Sequence, residues 1–217
     1  MYKIGLTGGI ASGKTTLSKY LASFKYIRSL NMDLAAHKLY KEDYFLRKEV
    51  ASRFGSNVLT IDETGAETIN RKELGRIVFS SREDLKRLNE LIHPRLYKYM
   101  DMEFEAERSL PKEIRSDVVF VEGAVIIESG GANYFDEIWV TTLSKEEALK
   151  RVFNRNPNLT KEQAEKRVMM QTCDEKRLKY AKFWYDTARP FEENKKLIDK
   201  ELERLKQQGK LRKIEQI

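Results

Sequence analysis

Gly5-Leu6-Thr7-Gly8-Gly9-Ile10-Ala11-Ser12-Gly13-Lys14-Thr15-Thr16 stands near the start of the chain and matches G-x-x-x-x-G-K-[ST], with Gly8, Gly13, Lys14 and Thr15 in the fixed positions. Ahead of it, Tyr2-Lys3-Ile4-Gly5-Leu6 reads as a strand; behind it, Thr15, Leu17, Tyr20, Leu21 and Phe24 have helical spacing. Strand, glycine-rich loop and helix in that order is the context in which the pattern cradles a polyphosphate. Such a loop must aim backbone N–H groups inward and admit phosphate oxygens closely, which Gly8, Gly9 and Gly13 permit because they lack a Cβ. A helix starting near Gly13 adds unpaired N–H groups and its positive dipole end. Ile10, Ala11, Ser12 and Thr16 complete the stretch expected to contact nucleotide. Lys14 is expected to reach the β- and γ-phosphates, and the Thr15 hydroxyl to ligate Mg²⁺, so ATP and Mg²⁺ are the expected ligands.

A chain of 217 residues suits one core with inserted subdomains. Its longest apolar runs are strand-sized, short of the roughly 18 residues a membrane span needs. The loop's strand begins at Tyr2, which is expected to leave no room for a targeting peptide, so a soluble cytoplasmic protein is expected. The single cysteine, Cys173, cannot form an internal disulfide and reads as an incidental thiol. Lys plus Arg number 41 against 34 Asp plus Glu, a net charge of +7. The two signs are interleaved along the chain, with no basic run or arm, which fits small polyanionic ligands better than nucleic acid.

Tyr26 to Asp33 reads as a second strand ending in a carboxylate. In a parallel sheet the carboxyl ends of strands share one edge, so Asp33 is expected to face the nucleotide and to serve an acceptor hydroxyl or Mg²⁺; an N-cap for the helix from Leu34 is the alternative. From Leu34 to about Lys112 the pattern is largely helical, with a turn at Asp62-Glu63-Thr64-Gly65 and a capping-box start at Ser80-Ser81-Arg82-Glu83. His93-Pro94 is expected to break that helix and Pro94 to start another. The stretch reads as a helical insertion that binds the acceptor. Asp117 to Glu122 is a strand buried on both faces, whose terminal Glu122 either binds Mg²⁺ through water or organises the loop. Phe135 to Thr141 is a fourth strand and Lys182 to Thr187 a fifth, at an edge. Between them, capping boxes at Ser144 and Thr160 flank an Asn156-Pro157-Asn158 turn and define a helical hairpin. Arg151 and Arg155, one helical turn apart, and Arg167 on the second arm suit a lid that neutralises charge on a transferred phosphoryl group, although about half of the basic residues here are expected to be solvated. The last helix, about Phe191 to Lys206, packs through Ile198, Leu202 and Leu205, and the tail from Gln207 is expected to fray.

These residues resemble one family, the dephospho-coenzyme A kinases. The loop is similar to that family's G-L-T-G-G-I-G-S-G-K-S-T; Asp33, Asn70-Arg71-Lys72-Glu73-Leu74-Gly75, Leu91-Ile92-His93-Pro94 and Val121-Glu122-Gly123-Ala124-Val125-Ile126-Ile127-Glu128 follow in order, and Arg167 with Gln171 resembles the lid's R-x-x-x-Q. The resemblance covers about residues 2 to 205. It implies an α/β phosphate-loop fold, with a five-stranded parallel core from residues 1–33, 113–143 and 176–217, a helical CoA-binding insertion over 34–112 and a lid over 144–175. It implies ATP-dependent phosphorylation of the ribose 3′-hydroxyl of dephospho-CoA; a monomer is expected, with an oligomer left open. Asp33, Lys14 and Arg151 are the implied catalytic residues. Asp33, His37, Arg71, His93 and Glu122 are the implied acceptor-binding residues. A carboxylate with a pKa near 4 is too weak to deprotonate a ribose hydroxyl outright, so the implied role of Asp33 is chiefly positioning, with late proton acceptance. Departures from the family pattern are Ala11 for Gly, tolerable if its φ is negative, Asn31 for the first Asp of a D-x-D pair, His37 for a frequent Arg and Thr187 for a frequent Asn. Ala124-Val125, in place of Pro-Leu, is similar to the kinase domain of the bifunctional eukaryotic CoA synthase.

Overall fold

A computed structural model describes every residue except Asn158, Met170 and Thr172. Five strands, β1 (Tyr2–Gly8), β2 (Ile27–Asn31), β5 (Val118–Glu122), β6 (Glu137–Thr142) and β7 (Phe183–Asp186), form one sheet in the order β2-β5-β1-β6-β7. Every pairing is parallel, with Gly5 opposite Val121 on one side and Ile138 on the other. The unbroken apolar run of β5 follows from this position: with neighbours on both edges, all five of its residues are buried. Ile4, Leu6, Phe120 and Trp139 form a core with Leu17 and Leu21 of α1 (Lys14–Leu21) and with Ile198, Leu202 and Leu205 of α9 (Phe191–Gln207). Helices α6 (Lys145–Arg155), α7 (Lys161–Met169) and α8 (Asp174–Leu178) lie between β6 and β7. Both expected hairpin caps form: Ser144 Oγ accepts from Glu147 N, and Thr160 and Gln163 exchange bonds at 3.1 and 3.2 Å, a complete capping box. Asn158 of the expected turn lies outside the described residues.

Two compact units divide the chain, one of Met1–Asn31 with Ala106–Ile217 and one of Met32–Glu105. The second carries α2 (Met32–Glu42), α3 (Tyr44–Phe54), α4 (Arg71–Val78), most of α5 (Arg82–Arg108), and an antiparallel hairpin of β3 (Leu59–Ile61) and β4 (Glu67–Ile69). The expected turn at 62–65 is present, with Asp62 Oδ1 accepting from Thr64 N and Ala66 N, but the two strands that it joins depart from the largely helical expectation, since strands of three residues are too short to show a period in sequence. The expected break at Pro94 is also wrong. Pro94 lies inside a 27-residue helix, where it offers the Glu90 carbonyl no donor, and Arg95 donates its Nη1 to the Leu91 carbonyl at 2.9 Å. Burial of Leu88, Leu91, Ile92, Leu96, Met100 and Phe104 along one face outweighs the proline's cost. β2 ends at Asn31 rather than Asp33, because Asn31 pairs with Glu122 and β5 offers no further partner. The C-terminal tail does not fray: Leu211 is 1% exposed, Lys25 N donates to Glu215 O, Phe24 bridges to Gln216, and Arg212 forks onto Asp117 at 2.6 and 2.8 Å. Among the described residues no helix is long and apolar enough to cross a membrane.

Candidate active site

The phosphate loop leaves the carboxyl end of β1 and turns into α1, so its conformation is set by what holds residues 8–13. Gly8 is required by close approach: a Cβ there would stand 2.3 Å from the Thr141 carbonyl and hydroxyl oxygens and 2.6 Å from Ser12 Oγ. Ser12 and Thr141 share a buried hydroxyl bond of 2.7 Å, which ties the loop to β6, and Ser12 N donates to Gly9 O at 3.2 Å. Gly13 caps α1 at φ 78°, a left-handed conformation that glycine adopts freely. Ala11 does not meet the condition under which it would replace glycine without cost, because its φ is +59°. That conformation costs an alanine about 1–2 kcal/mol, and the anchored Ser12 beside it holds the chain there. Among the described residues the N–H groups of Ala11 and Gly13 have no acceptor, which leaves them to an anion. Lys14 folds back over the loop, its Nζ donating to Gly8 O at 3.1 Å and Gly9 O at 2.9 Å. A cation so held stands beside the open amides without competing for them.

Thr15 Oγ1 donates to Glu122 Oε1 at 2.7 Å, joining the first turn of α1 to the end of β5. A hydroxyl and a carboxylate at the mouth of a phosphate loop are hard oxygen donors of the kind Mg²⁺ takes alongside phosphate. Among the described residues no cluster of three or more His, Cys, Asp or Glu forms an all-protein metal site. Arg151 reaches across from α6, donating Nη2 to Thr187 O at 2.7 Å and Nη1 to Thr187 Oγ1 at 3.2 Å and Ala11 O at 3.4 Å. With Arg155 and residues 11–16 it lines a hollow of about 260 Å³. Thr16 is exposed in that hollow. On the loop's other flank Ile10 N donates to Gln171 Oε1 at 2.5 Å. Arg177, 1% exposed, pairs with Glu128 at 2.7 Å and Asp174 at 3.2 Å.

Asp33, His37, Arg71 and His93 belong to the second unit. Asp33 occupies the first turn of α2, where a carboxylate favours the helix dipole. His37 receives the Arg71 guanidinium, whose Nη1 lies 3.0 Å from Nδ1 and also contacts Nε2. Burial pushes the His37 pKa down, the Arg71 charge lowers it further and Asp33 opposes both, so the ring is neutral at pH 7 and able to accept. His93 is buried in α5 near the Tyr97 ring, 6.5 Å between centroids.

Thr141 and Arg177 escaped the residue-by-residue reading of the sequence. A threonine in a strand and an arginine in a five-residue helix carry no local mark of their partners, which come from 129 and 49 residues away. Gln171, within the R-x-x-x-Q resemblance, and Thr187, in place of a frequent Asn, had a sequence signal.

A family model described as dephospho-CoA kinase matches residues 2–192. The dephospho-CoA kinase of Dehalococcoides mccartyi is 33% identical over 195 residues, covering 90% of this chain and 93% of that protein. The corresponding protein of Listeria monocytogenes is 34% identical, covering 90% and 92%. Of solved structures, a dephospho-CoA kinase from Campylobacter jejuni superposes with a TM-score of 0.61 at 26% identity, covering 95% of this chain and 98% of that one. A protein of Thermus thermophilus shares the fold with a TM-score of 0.70 at 24% identity, covering 94% and 97%. With the family match running from β1 into α9, the chain belongs to the dephospho-CoA kinase family.

Proposed function

We infer that this protein transfers the γ-phosphoryl group of ATP to the ribose 3′-hydroxyl of dephospho-CoA, giving coenzyme A and ADP. The observation that carries this is the anchored loop, with Lys14 poised over it and Ala11 and Gly13 amides open, in a chain that matches the family over residues 2–192. The loop amides and the α1 N-terminus bind the triphosphate, and Lys14 exchanges the Gly8 and Gly9 carbonyls for phosphate oxygens. Thr15 and Glu122 would hold Mg²⁺, which would supply charge neutralisation to the triphosphate. Asp33 orients the 3′-hydroxyl, whose oxygen attacks the γ-phosphorus as the bond to the β-phosphate oxygen breaks; the hydroxyl proton passes to the Asp33 carboxylate and then to water. His37, Arg71 and His93 serve the acceptor. Residues 34–112 bind the acceptor in this reading, and residues 144–175 close as a lid with Arg151 and Arg155 meeting the charge of the transferred group. In this reading the enzyme works in the cytoplasm, as a monomer or an oligomer, on two small molecules and not on nucleic acid; the interleaving of its basic and acidic residues along the chain, with no basic run, supports the exclusion of nucleic acid.

The test is ADP release from ATP with dephospho-CoA, with the product identified by mass. Turnover of another nucleoside or sugar while dephospho-CoA gives none refutes the assignment. Asp33→Asn is expected to keep the ATP Kd within about threefold and to lower kcat by about 10²- to 10⁴-fold. Near-normal kcat in that variant removes Asp33 from the mechanism.

A further inference from the structure

The amide of Ile10 is occupied from outside the loop. Its N–H donates to the side-chain carbonyl of Gln171 at 2.5 Å, and that same oxygen lies 3.6 Å from where a Cβ on Gly9 would stand. Gly9 is also the residue whose carbonyl holds Lys14 Nζ at 2.9 Å. Because that ammonium group serves the β- and γ-phosphates in this loop pattern, the terminal phosphoryl group arrives beside Gly9 and Ile10. Gln171 therefore stands in its way with the wrong end forward, since phosphate brings only acceptor oxygens and the carbonyl is an acceptor too. Arg177, pinned by Glu128 and Asp174 with its Nη1 3.7 Å from the same Gly9 position, fixes the short helix that follows Gln171. A cavity of about 270 Å³, lined by Gly9, Ile10, Ser144, Lys145, Gln171 and Arg177 among others, gives the side chain room to turn.

We propose that Gln171 is a nucleotide-contacting residue that exchanges roles on binding. In the free protein its carbonyl accepts from Ile10 N–H. In the ATP complex the carboxamide turns over about its broad, two-fold terminal torsion, Ile10 N–H passes to phosphate, and the Gln171 NH₂ donates to an oxygen of the terminal phosphoryl group. A carboxamide is suited to this because donor and acceptor sit on one carbon; a carboxylate supplies only the acceptor and a lysine only donors. The contact distinguishes ATP from ADP, because only ATP brings the terminal phosphoryl oxygen to which the Gln171 NH₂ donates. The proposal rests on ATP as the phosphoryl donor and is independent of the acceptor's identity.

Titration calorimetry with ATP and ADP, each with Mg²⁺ and without dephospho-CoA, tests it on the wild type, Gln171→Ala and Gln171→Glu. Alanine is expected to weaken ATP about ten- to a hundredfold, as for a lost hydrogen bond to a charged group, and glutamate at least tenfold more than alanine. ADP is expected to stay within about threefold in both variants. Glutamate is the informative substitution, for it preserves size and the acceptor facing Ile10 while removing the donor and adding repulsion. Parallel weakening of ATP and ADP, an unchanged ATP Kd in Gln171→Ala, or equal behaviour of the two variants overturns the proposal. Equal thermal midpoints of the three proteins exclude a folding defect as the cause. A wrong acceptor assignment leaves these titrations unaffected, so the two failures are told apart.

Discussion

Replacing Thr141 by valine removes one hydroxyl and keeps the shape of the side chain, so its effect isolates the bond that ties the phosphate loop to β6. Thr141 Oγ1 is buried, bonded to Ser12 Oγ at 2.7 Å and near Thr7 O at 3.4 Å, while Ser12 is itself 1% exposed. The valine leaves the Ser12 hydroxyl in the interior without this partner, a loss of about 1–3 kcal/mol. For a chain of this length that lowers Tm by roughly 3–8 °C. Ser12→Ala is expected to cost less, because the Thr141 hydroxyl retains Thr7 O as an acceptor. The double variant is expected to cost less than the sum of the singles, since with both hydroxyls gone no orphaned polar group remains; the coupling is about 1 kcal/mol or more. Function follows stability here. With residues 9–13 no longer anchored, ATP must order the loop as it binds, and both singles are expected to raise the ATP Kd several-fold with little change in the Kd for dephospho-CoA. Urea unfolding of the four proteins measures the cycle, and calorimetry with ATP the functional arm. Additive losses, or a Ser12→Ala loss larger than that of Thr141→Val, would refute the account of the anchor.

Other consequences of the structure are checked as simply. Arg151→Lys keeps the charge but cannot fork onto Thr187 O and Oγ1, so kcat is expected to fall tenfold or more while ADP binding stays within about threefold, measured by steady-state kinetics. Burial alone would raise the Glu137 pKa, but its bonds to Arg204, Trp139 and Tyr2 outweigh it and hold the carboxyl below its ordinary value. The stability this supplies is fully present above the ordinary glutamate pKa of about 4.3 and is lost as pH falls through the lower folded value, so the Tm gap between wild type and Glu137→Gln is expected to shrink as pH drops from 7 toward 3; a constant gap would contradict it. Leu211→Ala empties a fully buried site in the C-terminal tail and is expected to cost about 2–5 kcal/mol in unfolding free energy without altering kcat.

Most of the sheet was legible in the chain because its strands are local objects. β1, β5 and β6 are apolar runs bounded by turn signals, and burial on both faces imposes that pattern on any central parallel strand. The loop was legible for the same reason, as its chemistry is contained in twelve consecutive residues. Helix caps at Ser144 and Thr160 were visible because a capping box closes within four residues. The misreadings share the opposite property. Pro94 follows its local preference only until a row of buried side chains on α5 outweighs it, and that row is stabilised by partners the sequence does not name. The tail from Gln207 is polar and reads as fraying, yet Arg212 and Glu215 meet partners 95 and 190 residues away and Leu211 joins the core.

The sequence by itself determined the phosphate-loop class, the parallel core and, through resemblance, the family, since each rests on short-range pattern. Only the tertiary structure decided that Ala11 sits at positive φ, that Thr141 anchors Ser12, that Arg151 rests on Thr187 and that Gln171 covers the Ile10 amide. Those are pairings across long separations, where chain closure is decided by the whole fold and no periodicity records the partner.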